Sequence, residues 1–304
     1  MRVASELGPS TSFGILLAGL YWCWDYRVMS RVWMINISAM WFTSVLKLAC
    51  HTPRPYWVEA DVQGLTRASG FGMPSGHALV ATAVWSYLAR ELSRHRVTSM
   101  CALIVGLVGF SRLYLGVHSL AQVLVGIGLG LSLMFVFPHV DKRLTSAASQ
   151  WTLKKQLLCL LACSTLVCAL AVLVRSSLHS FELPAAWTDM ALAKRPQDGA
   201  INPKSVHSAV LSASMGLGFL GGYLILVNRK LNRGAVSWRN RGFRALIGVG
   251  VAGPYLLVTR GLLRGDSMAE LSFMASLGVD SVYGLTTGGL ISLIVPLIFN
   301  RFRV

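Results

Sequence analysis

The sequence predicts an all-α fold, a polytopic membrane bundle of about nine transmembrane helices, and three observations carry that expectation. Of its 304 residues, 54% are hydrophobic and only 13% charged, whereas a soluble domain carries roughly a quarter charged residues. The apolar residues gather into runs of about 20, the length at which a helix crosses a ~30 Å hydrocarbon core. Lys and Arg fall unevenly on alternate sides of those runs, as loops flanking membrane helices do.

The first expected span, near residues 10–27, follows MRVASELGPS, which lacks the basic start and small-residue cleavage site of a signal peptide. The second, near 32–50, holds Lys47 close to its end, and the third, near 75–92, opens at Ser75, Gly76 and His77. Spans near 97–115 and 119–138 are separated by a tight polar corner at His118. Four more follow, near 155–175, 204–227, 245–263 and 279–299. The chain divides into residues 1–138, with the chemistry described below, and residues 139–304, a further four-span membrane region. Gly126 and Gly130, and again Gly218 and Gly222, have the four-residue spacing that lets helices approach closely.

Seventeen of the 28 Lys and Arg residues lie on one side of these spans and eight on the other. The richer side is expected in the cytoplasm, with the N-terminus outside and the C-terminus inside, as an odd number of spans requires. Compact loops suggest a bacterial inner membrane, with the outer face toward the periplasm. Topology accounts for the net charge of +16, so no nucleic-acid partner is expected; membrane lipids are. The six cysteines sit in or beside apolar runs, with neither a disulfide framework nor metal-ligand spacing. No metal and no cofactor are expected.

Three stretches carry chemistry, and the topology puts them at one outer face: KLACHTPRPYW with Lys47 and Arg54, GFGMPSGHA with Ser75, Gly76 and His77, and SRLYLGVHSLAQVLVG with Arg112, His118 and Gln122. A cation inside a span costs about 2.5–3.5 kcal/mol, and three at one depth also repel one another, so a dense anion is their natural guest. Arg suits bidentate contact with phosphate oxygens and Lys offers a point charge. A helix opening at Ser75 adds backbone N–H groups and a positive dipole end, with Gly76 admitting close approach. Of the two histidines, one attacks phosphorus as neutral imidazole and the other protonates the departing oxygen. Gln122, one turn beyond His118, is suited to accept from one ring nitrogen and leave the other to attack, so His77 is left as the acid.

With these residues the chain resembles the type 2 phosphatidic acid phosphatase superfamily, whose pattern fits from Lys47 to Pro55, from Pro74 to His77 and from Ser111 to His118. The resemblance covers residues 40–138. It implies a phosphatase and haloperoxidase-like helical core and a metal-independent phosphoric monoester or diphosphate hydrolase. By the same resemblance a phosphohistidine forms on His118, His77 is the acid, and Lys47, Arg54, Ser75, Gly76 and Arg112 bind phosphate. The chain departs at Gln122, where the family usually has Asp. The dolichyl-diphosphatase and glucose-6-phosphatase branches also carry Gln there, and the second is similar in RPYW, nine spans and an outer N-terminus. The expected substrate is an amphipathic lipid phosphate or polyprenyl diphosphate at the extracytoplasmic face. The alternatives are a sugar phosphatase of glucose-6-phosphatase type, a non-catalytic lipid-binding or transport protein, and a vanadium haloperoxidase.

Lesser expectations concern the surroundings. Tyr56 and Trp57 are placed in an interfacial aromatic belt, with contact to a substrate headgroup as the alternative, Asp280 as a helix cap, and the basic loop 228–244 as a topology signal, with contact to anionic lipid heads as the alternative. The long outer loop 176–203 is a lid or headgroup-recognition element. If Gln122 does nothing but orient His118, Gln122→Asp retains or raises turnover.

Overall fold

The structure, a computed structural model, describes residues 1–231, 238–264 and 272–302, without the side chains of Arg2 and residues 260–264. The described secondary structure is helical throughout. The short α1 (Arg2–Ser5) precedes α2 (Thr11–Cys23), α3 (Tyr26–Cys50), α4 (Pro55–Val58), α5 (Gly76–Leu92) and α6 (His95–Tyr114). Then come α7 (Leu120–Ala148), α8 (Leu153–Ser177), α9 (Ala185–Lys194) and a 3-10 turn at Pro196–Asp198. The chain continues as α10 (His207–Asn228), α11 (Trp238–Arg264), α12 (Phe273–Gly289), a π turn at Leu290–Ile294 and α13 (Val295–Phe302).

Each expected span coincides with a helix, yet among the described residues only seven helices are long and apolar enough to cross a membrane. The count of nine is thus not confirmed by helix length and composition. With 13 residues, α2 is about 20 Å long at 1.5 Å per residue, short of the hydrocarbon core. α5 has 17 and ends in Arg90, Glu91 and Leu92. Arg233 and Arg303, counted in the charge asymmetry, lie outside the described residues.

Local capping sets several helix starts. The Ser10 hydroxyl accepts from the Phe13 amide at 3.1 Å, Asp25 from Arg27 N at 2.8 Å, and Ser272 from Ala275 N at 3.3 Å, each satisfying a donor that has no partner within its helix. Because Ser272 caps α12, Asp280 lies two turns inside that helix and is not a cap. Its carboxylate pairs with His207 Nδ1 at the start of α10.

The chain forms two compact units. One comprises Met1–Gly14, Ser38–Arg143 and Ala169–Val206; the other comprises Ile15–Ile37, Leu144–Cys168 and His207–Val304. In the first, α7 lies on α5 through glycine: a Cβ on Gly126 would stand 2.7 Å from Ser75 O, and one on Gly130 2.6 Å from Leu79 O. In the second, a Cβ on Gly218 would stand 2.1 Å from Leu285 O and one on Gly222 2.2 Å from Ser292 Oγ. Both pairs are therefore seams between helices, where backbone contact replaces the hydrophobic drive that lipid removes. Indoles add directional bonds to main-chain oxygens, Trp85 to Leu7 at 3.0 Å in the first unit and Trp22 to Ile291 at 2.9 Å in the second.

Candidate active site

The first unit brings all three chemical stretches together. Lys47, in the last turn of α3, donates through Nζ to Phe71 O at 2.8 Å. Arg54 precedes Pro55 at the start of α4 and is 5% exposed. Its Nε donates to Gly70 O at 2.6 Å, and its two terminal nitrogens donate to Val117 O at 2.9 Å and Phe71 O at 3.3 Å. Phe71 O thus holds two of the cations. These acceptors are neutral carbonyls, which orient a cation without cancelling its charge.

Ser75 stands at the N-terminus of α5, fully buried, with its amide bonded to Gln122 O at 3.0 Å. Its hydroxyl has no hydrogen-bond partner. A Cβ on Gly76 would meet Thr43 Cγ2 at 2.8 Å and approach Lys47 Cε at 3.7 Å, so only glycine fits there. His77 follows in the first turn of α5, and Gly8 lies against it: a Cβ on Gly8 would be 3.0 Å from His77 Cδ2.

Arg112 ends α6 and is buried. One terminal nitrogen bonds the Ser5 hydroxyl, while its Nε has no partner. The chain then turns at Gly116, whose φ of +68° and tight approach to Gln63 O (2.1 Å from a Cβ built there) both require glycine. The turn delivers His118, 4% exposed. Arg54 Nη1 lies 3.1 Å from its Nε2, and Gln122 Oε1 lies 3.1 Å from its Nδ1. A guanidinium only donates, so Nε2 is the acceptor and Nδ1 carries the hydrogen. The network thus assigns the tautomer with a lone pair on Nε2.

Gln122 is itself held from three directions. Its Oε1 also accepts from Ser119 N at 3.3 Å, its own amide nitrogen donates to Ser119 Oγ at 3.3 Å, and its Nε2 donates to Pro53 O at 2.9 Å. The first two bonds form a reciprocal capping box, Ser-x-x-Gln, at the start of α7. The third ties the last motif to the first, so Gln122 does more than orient His118. Gly72 makes room, since a Cβ there would fall 2.4 Å from Gln122 Nε2.

Burial, and after it the charges of Arg54, Lys47 and Arg112, hold the His118 ring well below the usual imidazole range, against the opposing bond from Gln122. His118 is therefore neutral near pH 7. The same three cations act electrostatically on His77. Among the described residues, no group of three or more His, Cys, Asp or Glu side chains is arranged to hold a metal ion.

Several contributors carry no motif: Ser5 and Gly8, from the segment before the first expected span, and the carbonyls of Gly70, Phe71 and Val117. The Ser119-x-x-Gln122 box was readable as a helix start. Tyr56 and Trp57 are no aromatic belt; they are 2% and 0% exposed. Tyr56 donates to Ala68 O at 2.8 Å, and Arg54 lies 5.9 Å from the Trp57 ring centroid. Loop 176–203 covers this corner. Phe181 sits 5.0 Å from the His51 ring and 6.2 Å from Phe71, Trp187 is 6.3 Å from Trp57, and Lys194 donates to Val62 O at 2.8 Å.

The family model described as PAP2 superfamily matches residues 27–146. Phosphatidylglycerophosphatase B of Bacillus subtilis (strain 168) is 36% identical over 100 residues, covering 29% of this chain and 49% of that protein. Dolichyldiphosphatase of Saccharomyces cerevisiae is 33% identical over 99 residues, covering 29% and 41%. The crystal structure of a transmembrane PAP2 type phosphatidylglycerolphosphate phosphatase from Bacillus subtilis aligns at 29% identity and a TM-score of 0.40, over 47% of this chain and 75% of that one. The chain spans about half or less of the length of these two curated relatives.

Proposed function

We propose that the chain, whose residues 27–146 match the PAP2 superfamily model, is an integral membrane phosphatase acting on a lipid phosphate or polyprenyl diphosphate through a phosphohistidine on His118. One observation carries the reading: Arg54 bonds the His118 ring at 3.1 Å and the charges of Lys47 and Arg112 also act on it, while two buried donors from the same motifs, Ser75 Oγ and Arg112 Nε, have no partners. Buried donors without acceptors are costly, and phosphate oxygens supply acceptors while offsetting the clustered positive charge.

In this mechanism the substrate phosphate sits among the three cations and the first turn of α5. His118 Nε2 releases its bond from Arg54, attacks phosphorus, and forms the P–N bond as the P–O bond to the leaving group breaks. Arg54 turns its donor to a phosphoryl oxygen, where charge is carried in the transition state. The bound phosphate dianion offsets the cations acting on His77, so that ring holds a proton in the complex and gives it to the departing oxygen. It then takes a proton from water as that water attacks phosphorus, breaking the P–N bond and restoring His118. Gln122 accepts from Nδ1–H throughout, stabilising the charged phosphorylated ring. The cations supply the electrostatic role that a metal ion fills elsewhere, so the reaction is metal-independent. The site faces the extracytoplasmic side on the charge asymmetry of the loops.

Purified protein should release phosphate from phosphatidate or a polyprenyl diphosphate in the presence of EDTA, be inhibited by vanadate, and lose activity in His118→Ala. Hydrolysis of glucose 6-phosphate alone would overturn the lipid assignment. Turnover persisting in folded His118→Ala would overturn the covalent mechanism.

A further inference from the structure

Hydroxyls inside the helices of this chain commonly bond the main chain one turn back. Ser30 and Ser44, both in α3, donate to Arg27 O at 3.0 Å and Met40 O at 2.9 Å, and Ser111 in α6 donates to Val108 O at 2.6 Å. Hydrocarbon offers no water to take that place, so a carbonyl three or four residues earlier is the ordinary acceptor. Thr43, next to Ser44 in the same helix, departs from this habit. It is buried, and its Oγ1 has no hydrogen-bond partner.

Its position gives the orphan a use. Thr43 and Lys47 are four residues apart, so they share one face of α3, about 6 Å apart along the axis. That face meets the first turn of α5: a Cβ built on Gly76 would stand 2.8 Å from Thr43 Cγ2, 3.9 Å from Thr43 Cβ and 3.7 Å from Lys47 Cε. A β-branched side chain is stiff about its first torsion, and packing the methyl against Gly76 fixes where the hydroxyl on the same carbon stands. The residue before Gly76 is Ser75, whose hydroxyl is also buried without a partner. Two further hydroxyls share that condition, Thr82 and Ser164. Thr82 lies against Gly130 in the seam between α5 and α7, and Ser164 belongs to the other unit, whereas Thr43 meets two residues of the cup.

We propose that Thr43 is a phosphate-binding residue of this site, its hydroxyl donating to an oxygen of the transferred phosphoryl group alongside Ser75 and the three cations. The inference rests on the phosphatase reading above. A hydroxyl adds a bond to the anion without adding to the mutual repulsion of Lys47, Arg54 and Arg112. Because it holds the phosphoryl group and not the tail, its contribution is the same for every substrate.

The test compares the wild type, Thr43→Val and Thr43→Ser in one detergent. The readouts are kcat/KM for phosphatidate and for a polyprenyl diphosphate, inhibition by inorganic phosphate, and the rise in melting temperature that inorganic phosphate produces. Thr43→Val keeps the shape and removes the donor. It lowers kcat/KM about tenfold for both substrates and raises the inhibition constant for phosphate by a similar factor, the worth of one hydrogen bond to a charged group. Its melting temperature without phosphate is unchanged or higher, because a buried donor without an acceptor is gone. Thr43→Ser keeps the donor and restores most of the loss in both readouts. Phosphate inhibition in Thr43→Val within twofold of wild type overturns the contact, whatever happens to kcat/KM. A Thr43→Ser variant as impaired as Thr43→Val overturns it too, since the methyl and not the hydroxyl is then what matters. If the wild type releases phosphate from neither lipid, the phosphatase reading fails instead, and the contact is decided by melting: a phosphate-induced rise equal in wild type and Thr43→Val overturns it.

Discussion

Replacing Gln122 by Leu removes both sides of its amide while keeping much of its volume. Three bonds go: from His118 Nδ1 at 3.1 Å, from Ser119 N at 3.3 Å and to Pro53 O at 2.9 Å. The ring is buried, so its Nδ1–H is left without an acceptor, and Pro53 O loses its donor. Each buried group so orphaned costs about 1–3 kcal/mol, which gives about 2–6 kcal/mol of lost stability. The share that falls on the imidazole also reaches the transition state, where Nδ1–H is most acidic. At about 1.4 kcal/mol per tenfold, kcat should drop roughly 5- to 100-fold. KM should move less, because Gln122 touches none of the three cations. Gln122→Asp separates the two roles. A carboxylate accepts from Nδ1 but cannot donate to Pro53 O, so turnover per folded molecule should recover while the melting temperature does not. Phosphate release and fluorescence-detected melting on the same detergent samples measure both. A Leu variant with kcat within twofold of wild type would refute the orienting role, and an Asp variant as stable as wild type would refute the tie to Pro53.

Ser5→Ala should weaken inhibition by inorganic phosphate and raise KM about three- to tenfold, with kcat little changed, because it frees one Arg112 nitrogen from its positioning partner; an effect on kcat alone would contradict this. Gly130→Val should destabilise the protein by at least about 1–3 kcal/mol, since its Cβ would meet Leu79 O at 2.6 Å, whereas Gly128→Ala, with nothing within 4 Å, should be tolerated; equal melting temperatures would count against the seam. His118, its folded value lowered by burial and the neighbouring cations, contributes stability that is full above the unfolded imidazole value of about 6.5 and is lost as pH falls from there toward the lowered value. Melting temperature should therefore fall through that window more steeply in the wild type than in His118→Gln, and parallel curves would remove the effect.

How much of the site could be read in advance depended on where its information is stored. Lys47, Arg54 and Arg112 are conspicuous because a charge at the end of an apolar run is costly, and the topology that puts them and the two histidines at one outer face suggests one anion-holding cup. What holds them is main chain, the carbonyls of Gly70, Phe71 and Val117, and a carbonyl has no letter in the sequence. Ser5 lies in a four-residue helix too short to show a period, joined to Arg112 across 107 positions. The count of nine spans is not confirmed because hydropathy reports apolarity and not where a helix stops; α2 begins where expected but ends at Cys23, ahead of Asp25. Asp280 was misplaced because hydropathy marks a helix start no better, the true cap lying eight residues earlier at Ser272. Tyr56 and Trp57 carry the composition of an interfacial belt, and the folding of loop 59–69 against Tyr56 and of Trp187 from loop 176–203 against Trp57 makes them interior.

The carbonyl cradle around Arg54 and Lys47 has a consequence for the catalytic cycle as a whole. Dipoles aim a cation but leave its full charge facing the guest, and that charge does not distinguish a phosphate ester from the free ion formed when the ester is cut. Substrate capture and product retention are therefore one property of one set of residues. On the proposed mechanism, whatever loosens the grip of the cradle weakens the hold on product and on substrate alike.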